Sequence, residues 1–261
     1  MKKNSYTALL AIFVLAASPC TVWSWGDYMP SAVKSLFSGD EKEKTERAEQ
    51  AGDDSATYFG GANLSKKKLK KVAVYGGCTL DECEVQVLQS YGGLSAVNST
   101  IDQLNGKGGV DLKKCTITGQ ESTTNGGATL NDVTVDHSLN CHGSLHANGS
   151  TFNQLHANGG VDLNKCKISG QASFKGSVTA QDTRFDEKVT IHSKKTVLKE
   201  CTLKQSIFVG KEVKGTLEPQ VIELTDTVIE GDVTFEQGNG KIFLKGSSKI
   251  LGKVAGGNIE Q

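Results

Sequence analysis

The residues in this chain that could do chemistry are cysteines, histidines, a few closely spaced acids and one run of lysines. Cys20 follows Ala17-Ser18-Pro19, which loosely resembles a bacterial lipidation signal, although Pro19 directly before the cysteine departs from that pattern. Cleavage after Val22-Trp23-Ser24, before Trp25, is the competing reading. The remaining cysteines are not spaced for metal: there is no Cys-x-x-Cys pair, so zinc fits poorly. Cys83, Cys115, Cys141, Cys166 and Cys201 instead occupy apolar positions, and they are expected to be structural core thiols, buried and reduced. His142 and His146 flank one corner and His156 lies further on, an arrangement read as outward solvated histidines. Asp182 and Asp186 could pair as acid and base, but no long loop stands nearby to build a cleft around them. Neither a Gly-x-Ser-x-Gly nor a phosphate-loop pattern is present, and no cofactor is expected. Lys66, Lys67, Lys68, Lys70 and Lys71 could contact an anionic surface. Their other reading is a solvated segment that keeps a strand edge from pairing.

The elements that must position these residues are repeats. GGVDLKKCTITGQ, starting at Gly108, recurs as GGVDLNKCKISGQ, starting at Gly159. Val110 maps to Val161, Leu112 to Leu163, Cys115 to Cys166 and Ile117 to Ile168. Within the second copy, Val161 and Leu163, Cys166 and Ile168, then Ala172 and Phe174 form three apolar pairs at strand spacing, separated by turn residues. The same template fits Leu145 to Ala157, Val178 to Ile191 and Thr196 to Val209, and it fits backward through Ala128 and Leu94 to Cys78. A helical period would not place apolar pairs at i and i+2 through so many copies. Gly93, Gly109, Gly127, Gly143, Gly160 and Gly176 recur at one corner, where positive φ or close approach of coils would suit glycine.

This pattern predicts an all-β, right-handed, parallel three-sided β-helix of about 17 residues per coil, with about 10 coils at roughly 4.8 Å each. Residues 72–256 are assigned to the solenoid, with a loop insertion near 210–220 around Pro219 and a tail at 257–261. Residues 1–24 are read as a signal peptide: Lys2 and Lys3 precede the short apolar run Ala8–Ala17. Residues 25–71 are read as a helical or flexible lead-in that ends in the lysine-rich segment.

Composition narrows the function classes. Lys plus Arg number 29 and Asp plus Glu number 29, so charge gives no reason to expect nucleic acid. Thr100, Thr116, Thr134 and Thr151 form a partial outward column, but Lys167 and Arg184 interrupt it, which favours ordinary strand propensity over an ice-binding face.

The periodic pairs Val110/Leu112, Cys115/Ile117, Val161/Leu163 and Cys166/Ile168 resemble those of the bactofilins, bacterial cytoskeletal proteins with a β-helical core. The resemblance covers about two-thirds of the chain and rests on periodicity. It implies nucleotide-free, end-to-end polymerisation through terminal coils. The chain departs from that family in its export-type N-terminus, its slightly shorter coil and its loop around Pro219. Left-handed hexapeptide solenoids are the other near neighbour, and the uneven spacing of the pairs departs from their strict sixes.

The expected function is a non-enzymatic structural, self-assembling or surface-binding role at the cell envelope, with the protein periplasmic, outer-envelope associated or secreted. The alternative is a secreted polysaccharide-binding or polysaccharide-cleaving protein. Expected partners are further copies through the end coils, a polysaccharide or an envelope protein. Membrane contact is expected only through the signal or a lipid anchor.

Overall fold

Apolar and polar residues alternate here for only a few positions before a turn interrupts them, so each strand is short. Strands of two to eight residues result. None can bury its apolar side alone, and each is covered by the equivalent strand one coil away. The computed structural model describes residues 54–211 and 218–260, and among them there is no helix. The predicted signal peptide, Cys20 and the lead-in up to residue 53 lie outside the described residues.

The fold is a parallel β-solenoid. Its first face is a twelve-stranded parallel sheet, and its second and third faces together form an eighteen-stranded one. The coil from Val161 shows the unit: Val161–Asn164 on the first face, Lys167–Ile168 on the second and Ala172–Lys175 on the third. Val161 pairs with Leu145 in the coil before and with Val178 in the coil after. The inward residues of the sequence template are buried in every coil from Cys78 to Phe235. Large and small residues alternate around one interior. Phe152 shares its coil with Ala147, Ser150 and Ala157, and Phe185 shares its coil with Ala180. Phe174 and Phe185 meet edge to face at 6.4 Å.

From Cys78 to Val178, coil length is set at the second corner. Where two residues link the inward pairs, the second and third faces run on as one strand, as in Glu84–Ser90 and Thr100–Gly106. Where a glycine-containing turn is inserted, they separate. Gly119 and Gly170 each donate an N–H to the coil before, at 2.7 Å to Asp102 O and Asn153 O. A Cβ on Gly119 would lie 2.2 Å from that same Asp102 oxygen. The Gly-Gln ending of the twin segments is therefore this corner.

Three boundaries differ from the sequence reading. The first is the start: Ser55–Tyr58, Ala62–Ser65 and Lys68–Val74 are already strands, so residues 55–71 belong to the solenoid and not to a lead-in. Ala62 and Leu64 point inward there, and the outward lysines hide the alternation. The second is the end: Gly257–Glu260 is a strand paired with Gly240–Lys245, not a tail. Twelve coils contribute to the first face, against the ten expected. The insertion falls where the sequence placed it. Thr196 pairs with Ile222 across the longest gap in the sheet, and buried Gln220 closes the loop by donating to Ser193 O and Gly210 O.

The third difference is the glycine corner. The tightly stacked column is Gly60, Gly76, Gly92, Gly108, Gly126, Gly143, Gly159 and Gly176. From Gly76 onward a Cβ would lie 2.2 to 2.5 Å from the carbonyl oxygen of the glycine one coil before. Gly93, Gly109, Gly127 and Gly160 form a neighbouring column. The sequence reading merged the two because Ser144 and Ser177 replace the second glycine in two coils.

Candidate functional site

The cysteines sit just after the first corner. The residue before each adopts the left-handed conformation: Lys66, Glu82, Asn98, Lys114, Asp132, Lys165, Asp182, Glu200 and Asp226 have φ between 48° and 55°. That backbone costs roughly 1–2 kcal/mol per non-glycine residue, and the next side chain helps to hold it. Cys83 Sγ donates to Leu64 O and Asp81 O, and Cys115 Sγ donates to Ala96 O and Lys113 O. Cys166 and Cys201 repeat the arrangement. Val133 fills the column in one coil, and the hydroxyls that fill it in others do more. Ser99 Oγ accepts from Cys83 N, and Ser150 Oγ accepts from Val133 N. Thr183 and Thr227 Oγ1 accept from Cys166 N and Cys201 N. These side chains are thus polar corner clamps as well as small fillers. Cys141 lies apart, inward on the third face, and Cys78 is inward on the first. Burial pushes the Cys78, Cys141 and Cys201 thiols up to about 11 and raises Cys115 and Cys166. Thiols held this way are poor nucleophiles at neutral pH.

The lysines of the 66–71 run belong to the first coils. Lys66 and Lys68 reach Glu82 and Glu84 of the next coil at 3.8 and 2.9 Å, and Lys70 reaches Asp54 at 3.2 Å. Lys67 and Lys71 are exposed beside them. The histidines do not converge. His146 faces outward 3.7 Å from Asp162, and His192 Nδ1 lies 3.1 Å from Lys211 O. Among the described residues no group of His, Cys, Asp and Glu is placed to hold a metal ion. The acid pair also separates: Asp182 forms a left-handed corner, whereas Asp186 lies beside Arg184, Lys204 and Lys167 at 2.7, 3.5 and 3.9 Å. The hydrogen bond from Arg184 holds the Asp186 carboxyl below its usual range, and Lys204 adds to the effect.

The third corner gathers residues that the sequence reading passed over. Phe59, Tyr75 and Tyr91 are exposed and stacked, with ring centroids 5.1 and 4.6 Å apart and planes 7° from parallel. Lys107 Nζ covers the open face of Tyr91 at 4.4 Å. Each of the four residues is followed by two glycines. The second glycines, Gly61, Gly77, Gly93 and Gly109, line a shallow groove of about 660 Å³. Its other wall is the outward column of the first face, including Asn63, Thr79, Ser95 and Asp111, and it continues to Ser144 and His146. A Cβ on Gly77, Gly93 or Gly109 would meet nothing within 4 Å. The signal was in the sequence: Phe-Gly-Gly, Tyr-Gly-Gly, Tyr-Gly-Gly and Lys-Gly-Gly start at 59, 75, 91 and 107, always 16 residues apart. The chain matches no family model, no curated protein and no solved structure.

Proposed function

We propose that this chain is an exported, non-enzymatic β-solenoid with a structural and surface-binding role at a bacterial cell envelope. The observation that carries this reading is the exterior of the stack. Outward side chains repeat at one-coil intervals over twelve coils of the first face, which gives a long surface of equivalent contacts instead of one reaction centre. Such a surface binds by adding weak contacts along a line. The N-terminal features of the sequence support export, and the core thiols of Cys83, Cys115, Cys166 and Cys201 serve the corners. The bactofilin-like periodicity supports self-association through the end coils, where Leu251 and Ile259 are 67% and 45% exposed.

Polysaccharide cleavage is the less favoured reading. An acid catalyst needs a carboxyl held protonated near neutral pH, and Asp186 is shifted the opposite way by Arg184. The test is co-sedimentation of the mature protein with isolated envelopes, alongside light scattering across a concentration series. Sedimentation with envelopes and a mass that grows with concentration are expected. Soluble protein that stays monomeric throughout would overturn the reading.

A further inference from the structure

We infer that the third-corner groove is a binding site for a linear, uncharged polysaccharide that lies along the solenoid with one sugar per coil. The inference rests on the surface-binding reading and names its ligand class. Its first support is the bareness of the groove floor. Gly76, Gly92 and Gly108 are glycine because the preceding coil leaves no space for a Cβ. Gly77, Gly93 and Gly109 face open space, so packing does not demand glycine there. What their absent side chains preserve is the groove itself. The open glycines lie beside the exposed stack of Phe59, Tyr75 and Tyr91, which stand before the glycine pairs and outside the groove lining.

The second support is chemical. A pyranose presents an apolar C–H face and a rim of hydroxyls. The groove offers a mostly apolar floor of backbone and, on the first face, Asn63, Thr79, Ser95 and Asp111 at one-coil intervals as donors and acceptors. Strands stack at about 4.8 Å, and the ring spacings of 5.1 and 4.6 Å show the same step. An extended chain of pyranoses advances by nearly that step per sugar, so one ring falls opposite each coil, with alternate rings of a β-1,4 chain turning opposite faces to the groove. An extended peptide repeats its side-chain pattern every two residues, about 6.6 Å, and falls out of step. It also finds no free edge. The N–H groups of Ala62, Cys78, Leu94 and Val110 already donate to Gly77, Gly93, Gly109 and Gly127 of the next coil. Among the described residues that line the groove there is no lysine or arginine, which disfavours nucleic acid and acidic glycans.

The test is calorimetric titration of the mature protein with soluble cello- and chito-oligosaccharides of increasing length. Affinity is expected to climb with each added sugar and level off when the chain spans the groove. Gly93→Val should weaken binding by about tenfold or more while leaving the unfolding midpoint near wild type, because its side chain fills open groove. Thr116→Val, on the second face, should bind as wild type. No binding of either series, affinity independent of length, or full binding by Gly93→Val overturns the groove assignment. If the envelopes still sediment the protein in that case, the surface-binding reading stands without a glycan in the groove. If they do not, both fall.

Discussion

At the scale of single residues, the corner column of Cys83, Ser99, Cys115, Ser150, Cys166, Thr183, Cys201 and Thr227 shows what sequence reading reaches. Strand spacing placed the cysteines inward, and they are inward. Their bonding was not legible, because it depends on carbonyls such as Leu64 O and Ala96 O one coil away. Ser150→Ala should cost about 1–3 kcal/mol in denaturant unfolding, since Val133 N loses its acceptor and Leu130 O and Asn148 O lose a donor. Cys115→Ser should cost less, because a hydroxyl already serves this position one coil before, at Ser99. Equal losses for the two variants would remove the hydrogen-bonding explanation. Asp186 gives a pH test. Its carboxyl titrates lower folded than free, so folding favours the ionised form. The stabilisation is present above about pH 4 and fades as the pH falls through the folded value. Asp186→Asn should lose up to about 1 kcal/mol at pH 7, and its gap to wild type should narrow as the pH falls below about 4. A gap that persists at low pH would assign the effect to something other than charge.

At the scale of elements, the two glycines of each third corner have different work. Gly92→Ala should destabilise by more than about 1 kcal/mol, because its Cβ falls 2.4 Å from Gly76 O. Gly93→Ala should be neutral or stabilise by about 0.4–1 kcal/mol, since it only removes freedom from the unfolded chain. Thermal midpoints of the two variants check this, and similar midpoints would refute the assignment of columns. The sequence revealed that glycine recurs here and concealed which glycine is crowded, because counting glycines alone slips by one residue at Ser144 and Ser177. Apolar spacing was the stronger signal for strands. It failed at residues 55–71 because five lysines dominate the composition while Ala62 and Leu64 carry the inward pattern.

At the scale of the molecule, the solenoid is a stack in which each described coil is covered by its neighbours and by little else. Residues 16 to 18 apart pair on the first face through most of its length, and the exceptions are the inserted loop before Val221 and the 20-residue step from Ile222 to Ile242. Periodicity made this architecture readable from the sequence. The groove proposed for binding was harder to read, because it consists of what the periodic core leaves outside: the open glycines of the early corners, beside an exposed aromatic column. The strict 16-residue step that carries Cys78 to Leu94 and Leu94 to Val110 also makes the coil a unit of exchange. Length in this molecule is quantised. Excising Cys78–Gly93 brings Gly77 to Leu94 with every column still in line, so the shortened chain should fold with a β-type circular dichroism spectrum and a modestly lower midpoint. Excising only Cys78–Val85 turns inward residues to the wrong face and should leave the chain unfolded or aggregated. A lineage carrying this fold can therefore grow or shrink its surface by whole steps, and drift in length is confined to the corners and the loop before Val221.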